Sequence, residues 1–186
     1  MTTGTGVLNR AGIKTQSLTI GTAVAAAVIL PQVFHALGII SGTGSAPGQV
    51  FLPMYLPIIL AGFFAGAIAG ALSGLLAPVV SFALSGMPLP AMVSFISIEL
   101  AVIGLAAGML CNLRLPAIGK VILAQLLGKA ALALSILAAV FVFDSETITT
   151  GYILASIRTG LPGWVLQWAL IPLIIFRVEN RNNLEE

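Results

Sequence analysis

Between Thr15 and Ile98 the chain runs 84 residues without an Asp, Glu, Lys or Arg. About 20 apolar residues are enough to cross the roughly 30 Å hydrocarbon core of a bilayer, so this one run is long enough for several crossings. A folded monomer with such a stretch cannot be dissolved in water. Ordinary soluble domains carry about 25% charged residues; here 8% are charged and 59% are hydrophobic. The expected fold class is an all-α, polytopic membrane bundle.

The 186 residues suffice for a single bundle of about six spans and leave almost nothing for a soluble domain. An ATPase or other extramembrane enzyme is excluded on length alone. The net charge of +2 rests on a few basic residues near span ends, a pattern that sets membrane orientation rather than nucleic-acid binding. Cys111 is the only cysteine, so an intrachain disulfide is impossible and a zinc cluster lacks ligands; its expected role is that of a small buried or interfacial residue. No cofactor and no metal are expected. Arg10 and Lys14 precede the first apolar run as in a signal peptide, but that run is long and others follow, so it reads as a retained span.

Periodicity says little when every helix face is apolar, so the breaks come from proline, glycine, polar clusters and charges. Span 1 covers residues 17–37 and is closed by the polar stretch 41–49. Residues 51–84 are divided into a short span 2, 51–63, and span 3, 66–84. The segment 85–90 reads as a turn because Pro88 and Pro90 each lack an amide hydrogen and restrain the residue before them. Span 4 covers 92–110. After a polar turn at 112–115, Pro116 suits the first turn of span 5, which reaches Phe143 and would be about 42 Å long. Residues 144–160 read as the longest polar connection, with a helical turn conceivable at 152–157, and span 6 covers 161–176. The whole chain, 1–186, is one domain, with residues 1–16 and 177–186 as terminal segments.

With six spans, Arg10, Lys14, Arg114, Lys120, Arg177 and Arg181 fall on one side and only Arg158 on the other. The positive-inside rule then makes both termini cytoplasmic and turns the connections 41–50, 85–91 and 144–160 outward.

Gly62, Gly66, Gly70 and Gly74 recur every four residues and place bare backbone along a strip where another helix can approach closely. Helix packing is the first reading of this ladder, and sliding of two parts during transport the second. Ala23 and Ala27 form a similar small-residue pair on span 1 that docks either a helix of this chain or one of another subunit. A serine hydrolase is not supported, because the sole histidine, His35, lies on span 1 without a catalytic constellation around it.

Three polar groups inside the spans require a physical reason. Glu99 lies seven residues into span 4, about 10 Å deep, and a charged side chain at a helix centre costs about 2.5–3.5 kcal/mol on insertion scales. Lys129 sits near the middle of span 5 with Gln125 one turn away on the same face. Either Glu99 and Lys129 neutralise each other as a structural pair, or they line an outward cavity that binds a polar ligand, or Lys129 snorkels. Trp164, Gln167 and Trp168 share one face of span 6 after a turn at 160–163. They serve either as a bilayer anchor or, with Arg158 before them, as a stacking face, an amide and a cation for a solute. His35 is an interfacial histidine or a ligand contact.

At 51–78 the sequence FLPMYLPIILAGFFAGAIAGALSGLLAP resembles the substrate-binding S components of energy-coupling factor (ECF) transporters. The likeness lies in the Leu-Pro-Met start of a short second helix, the Leu-Ala-Gly step and the four-spaced glycines leading to a proline. It continues through the SGMPLP turn and the fourth span with Glu99, and six spans with cytoplasmic termini extend it over nearly the whole chain. Tyr55 departs from the pattern, since many relatives place histidine there. The resemblance implies a membrane receptor that captures a vitamin or vitamin precursor from outside. It would join a transmembrane coupling subunit and two ATPase subunits in a prokaryotic plasma (inner) membrane and topple to release its cargo. ATP hydrolysis would belong to the partners, so this chain would be no enzyme. In that family a small-residue patch on span 1 meets the coupling subunit, and Ala23 and Ala27 match it.

The expected ligand contacts are Glu99, Gln125, Lys129, Arg158, Trp164 and Gln167, with His35 and Tyr55 beside them. Their opposing charges suit a ligand with donors and an anionic or carbonyl group, such as pantothenate, riboflavin or a related precursor. The alternative is an autonomous channel or small secondary carrier with Glu99 and Lys129 on an ion or proton pathway.

Overall fold

The computed structural model describes residues 13–44, 46–143 and 149–185. Among these residues there is no strand, and seven helices form: α1 (Ile13–Ile40), α2 (Ala46–Phe51), α3 (Tyr55–Ala65), α4 (Ala67–Ser85), α5 (Pro90–Leu110), α6 (Ala117–Phe141) and α7 (Gly151–Glu185). With α2 and α3 counted as one stretch, Ala46–Ala65, six segments are long and apolar enough to cross a membrane. Large apolar side chains such as Leu18, Ile68, Leu134 and Leu173 remain exposed, as expected where lipid rather than water is the surrounding solvent.

Helix α5 is the central element and packs against α3, α4 and α6; α1 covers α3 and α4, and α7 closes against α6 and α2. The register follows from missing side chains. A Cβ at Gly70 would meet the backbone of Gly104, one at Gly74 that of Leu100, and one at Gly108 that of Ala67. These contacts run antiparallel along α4 and α5 at backbone-to-backbone range. In lipid, where apolar burial provides little drive between helices, such van der Waals contact is a principal source of cohesion.

The glycine ladder is therefore a packing device, but not one continuous strip. Gly66 takes a positive φ of 94° and separates α3 from α4, so Gly62 lies on one helix and Gly70 and Gly74 on the next. Gly62 still faces α5, where an added Cβ would come within 2.5 Å of the Gly104 carbonyl oxygen. Glycine meets the conformational need at Gly66 because an L side chain is disfavoured at that φ.

Ala23 and Ala27 need correction as a partner surface. Both are buried inside the bundle, Ala27 completely, in the same core cluster as Ile58, Ile59 and Ala77 of α3 and α4. The patch docks helices of this chain, and its small side chains are what allow α1 to lie close.

Three boundaries differ from the sequence expectation, the first being the end of span 6: α7 continues to Glu185, nine residues past the expected 176, so most of the supposed terminal segment 177–186 is helix. The stretch 46–51 is helical, and the chain turns at residues 52–54 before α3, with Leu52 at φ 48°. Span 6 starts ten residues earlier than expected, and the supposed turn at 160–163 is helix, with Pro162 inside it. Proline removes only one amide donor and is tolerated in membrane helices where neighbours re-satisfy the backbone. Gly160 and Gly163 lie close to Leu52 and to the backbone of Val50 and Phe51; they mark close approach of two elements, not a break. Arg10 and residues 144–148 of the expected connection lie outside the described residues.

Lys14, Arg114, Lys120 and Arg177 lie toward the end of the bundle that holds the chain termini, and Arg158 toward the opposite end. Lys120 Nζ donates to the Cys111 carbonyl at 2.7 Å, a cation on the terminal carbonyls of α5 where the helix dipole favours it.

Because Gly70 and Gly104 touch through their backbones, Gly70→Val should lower the thermal stability of the detergent-solubilised chain by about 1–3 kcal/mol, the usual cost of overpacking. Gly21→Ala, which would meet nothing within 4 Å, should leave it unchanged or slightly raised. Equal melting temperatures for Gly70→Val and the parent would contradict this packing.

Candidate functional site

A cavity of about 550 Å³ lies between the helices toward the end opposite the termini. Its volume falls within the roughly 300–1,000 Å³ range of small-molecule sites. From α1 it takes Pro31, Gln32 and His35, and from the turn after α2 it takes Leu52, Pro53 and Met54. Ser81 of α4, residues 86–89, and Met92, Ile96, Glu99 and Leu100 of α5 form another wall. Lys129 of α6 and the first turns of α7, with Tyr152, Ala155, Ser156 and Thr159, complete it.

The deep polar feature is an ion pair. Lys129 Nζ lies 2.7 Å from Glu99 Oε1, and the Tyr55 hydroxyl donates to the same oxygen at 2.6 Å. Both ionisable residues are more than nine-tenths buried. At this depth the two opposite charges compensate each other, and removing either partner would strand the other in a medium that solvates it poorly. Three elements set the geometry. Gly128 lets α6 approach α5, since a Cβ there would strike the Ile103 side chain. The glycine contacts draw α4 and α3 onto α5, and Tyr55 at the start of α3 thereby reaches Glu99.

Gln125, one turn from Lys129, does not join this cluster. Its amide donates to Gln167 Oε1 at 2.7 Å and its carbonyl accepts the Trp168 indole N–H at 2.7 Å. Gln167 in turn donates to the Leu52 carbonyl at 3.1 Å. These groups satisfy one another and tie α6 and α7 to the turn at 52–54, so the polar stripe on α6 divides between two neighbours.

The structure thus brings Glu99, Lys129, Tyr55 and His35 to one cavity. The expectation that Gln125, Gln167, Trp164 and Arg158 share it is corrected. The two glutamines are engaged with each other, and Trp164 is buried outside the lining. Arg158 is exposed, on a different face of α7 from Ser156 and Thr159. The burial of Trp164 also removes it from a role as a lipid-facing anchor.

Several lining residues escape a reading of the sequence. Gln32 lies three residues before His35 on the same helix face. Tyr152, Ser156 and Thr159 are spaced i, i+4, i+7, the signature of one helix face, which becomes visible once 151–160 is read as helix. Ser81 and Gln32 carry a further signal: Ser81 Oγ and Gln32 Nε2 are buried without a hydrogen-bond partner. Most buried polar groups in folded proteins are paired, so two unpaired ones on a cavity wall mark a place where a solute or water would bond. Among the described residues no group of three His, Cys, Asp or Glu is arranged to hold a metal ion.

Comparison with protein-family models, curated proteins and solved structures gives no match.

Breaking the ion pair from one side should cost more than removing it whole. Lys129→Met alone is expected to destabilise the chain by about 3–5 kcal/mol, and Glu99→Leu/Lys129→Met by much less. Thermal unfolding of the two variants in the same detergent decides this, and a double variant less stable than the single one would contradict it. Gln167→Leu, which strands Gln125 and the Leu52 carbonyl, should cost about 1–3 kcal/mol.

Proposed function

We propose that this chain is the substrate-binding membrane subunit, the S component, of an ECF-type importer. It captures a vitamin or vitamin precursor and delivers it through a transmembrane coupling subunit and two ATPase subunits. The observation that carries the reading is the cavity near the end opposite the termini, with the Glu99–Lys129–Tyr55 cluster at its depth and unpaired polar groups on its walls. The motif order at 51–78 supports the family. The bias of basic residues supports the orientation: both termini in the cytoplasm of a prokaryote, and the cavity facing outward across its plasma (inner) membrane.

Ionisable groups kept inside a membrane bundle mark sites more often than they stabilise, because an apolar replacement usually serves stability as well. Toward the opposite end from the cavity, Ile58, Phe63, Ile103, Ala107 and Leu110 form a buried apolar core. That core favours a receptor that holds its solute over a channel or carrier with a polar path leading onward. Since Ala23 and Ala27 are engaged within the chain, a coupling subunit would meet another face.

The test is mass spectrometry of small molecules that copurify with the chain, followed by calorimetric titration of the molecule found. Glu99→Gln and Lys129→Met should each weaken its binding at least tenfold, about 1.4 kcal/mol. Unchanged affinity in both, or transport of solute by the purified chain alone in liposomes, would reject the reading.

A further inference from the structure

We infer that the cavity selects a ligand of no net charge that carries a cyclic amide or ureido edge, with N–H and C=O side by side. This rests on the solute-binding reading above and narrows it to a chemical class.

The cavity lining contains one carboxylate and one ammonium, and no other Asp, Glu, Lys or Arg. Those two lie in contact at 2.7 Å, so they balance each other before any ligand arrives, and the His35 imidazole is the one further basic side chain on the wall. A ligand with a net charge would add a third buried charge without a counter-ion, at a penalty of several kcal/mol. A free carboxylate is disfavoured for the same reason, which separates this class from acidic solutes.

Hydrogen bonding at the ion pair fixes the edge. Lys129 and Tyr55 both engage Glu99 at Oε1, which leaves Oε2 as the oxygen to meet a ligand. An ammonium has three donors; the structure assigns one of Lys129's to Glu99. The pair therefore keeps a carboxylate acceptor and ammonium donors next to each other. Its complement is an N–H beside a C=O. A trans amide points these groups in opposite directions and cannot dock both on one pair, whereas a ring amide or cyclic urea holds them on the same side.

Ser81 supplies the second, independent observation. It is 1% exposed, lines the cavity from α4, and its hydroxyl has no partner. With Gln32 Nε2 on α1 it offers hydrogen bonds to the ligand from a wall distinct from the ion pair. Ile96, Met92 and Leu100 supply an apolar surface for the ring itself. Soft methionine adapts well to such surfaces.

The experiment is calorimetric titration of the purified full chain in phosphatidylcholine nanodiscs with four probes built on one benzene ring. They are quinazoline-2,4-dione, its 1,3-dimethyl derivative, acetanilide as a trans amide, and 2-aminobenzoate as an anion. The dione should bind at least tenfold more tightly than each of the others, and Ser81→Ala should weaken it severalfold while the chain keeps its melting temperature. Tighter or equal binding of the anion, or equal binding of the dimethyl derivative, overturns the ligand class. Absence of binding by all four overturns it as well. Either failure leaves the solute-binding reading to be judged separately by the copurified molecule and its titration.

Discussion

An ion pair between Glu99 and Lys129, sunk inside a bundle that exposes mostly apolar side chains to its surroundings, is the constraint around which the other features arrange themselves. Each charge alone would be costly in such surroundings, and the Tyr55 hydroxyl adds a hydrogen bond to the pair. Held at 2.7 Å, the two groups link α5 to α6, and through Tyr55 to α3. The cavity is the space that remains where those helices, α1 and the start of α7 diverge around the pair. Ser81 and Gln32 carry unpaired polar atoms on the cavity wall, and Ser97 and Trp164 carry others away from it.

The pair can exist only because the helices that carry it come close. Gly62, Gly70 and Gly74 on one side and Gly104 and Gly108 on the other set backbone against backbone, and Gly128 lets α6 close on the Ile103 side chain of α5. Below the cavity this gives dense packing around Ile58, Ile59 and Ile103, all fully buried. At the other end, prolines and the turns at 52–54 and 86–89 keep the elements apart. The Gln125–Gln167–Trp168 network lies between these regimes and fixes the 52–54 turn, whose residues border the cavity. Cohesion at one end and divergence at the other are therefore written into residue size.

Much of the architecture is legible in the sequence because the bilayer imposes a simple length rule. Four of the six spans begin and end within four residues of their expected bounds, while the second begins five residues early, at Ala46. The sixth is misjudged because Gly160, Pro162 and Gly163 look like a turn, whereas glycine in a membrane helix also marks close contact, and only the partner at 50–52 reveals which. The same ambiguity governs the site. Glu99 and Lys129 stand out because their burial is expensive, but Gln125 and Gln167 look equally available until each is seen to satisfy the other. Ser81 is invisible in a segment rich in small residues, since a serine that bonds its own helix, as Ser73 does to Ala69, has the same signature as one that bonds nothing.

The central claim is that the ionisable groups border a space reached from the face opposite the termini, with a closed core beyond them. Thiol accessibility measures this directly. In a Cys111→Ala background, Ile96→Cys, one turn from Glu99 on the cavity wall, should react with a membrane-impermeant thiol reagent added outside intact cells. Ile103→Cys, fully buried one turn past Glu99, should not react under the same conditions. Labelling of Ile103→Cys with Ile96→Cys unmodified would contradict the account.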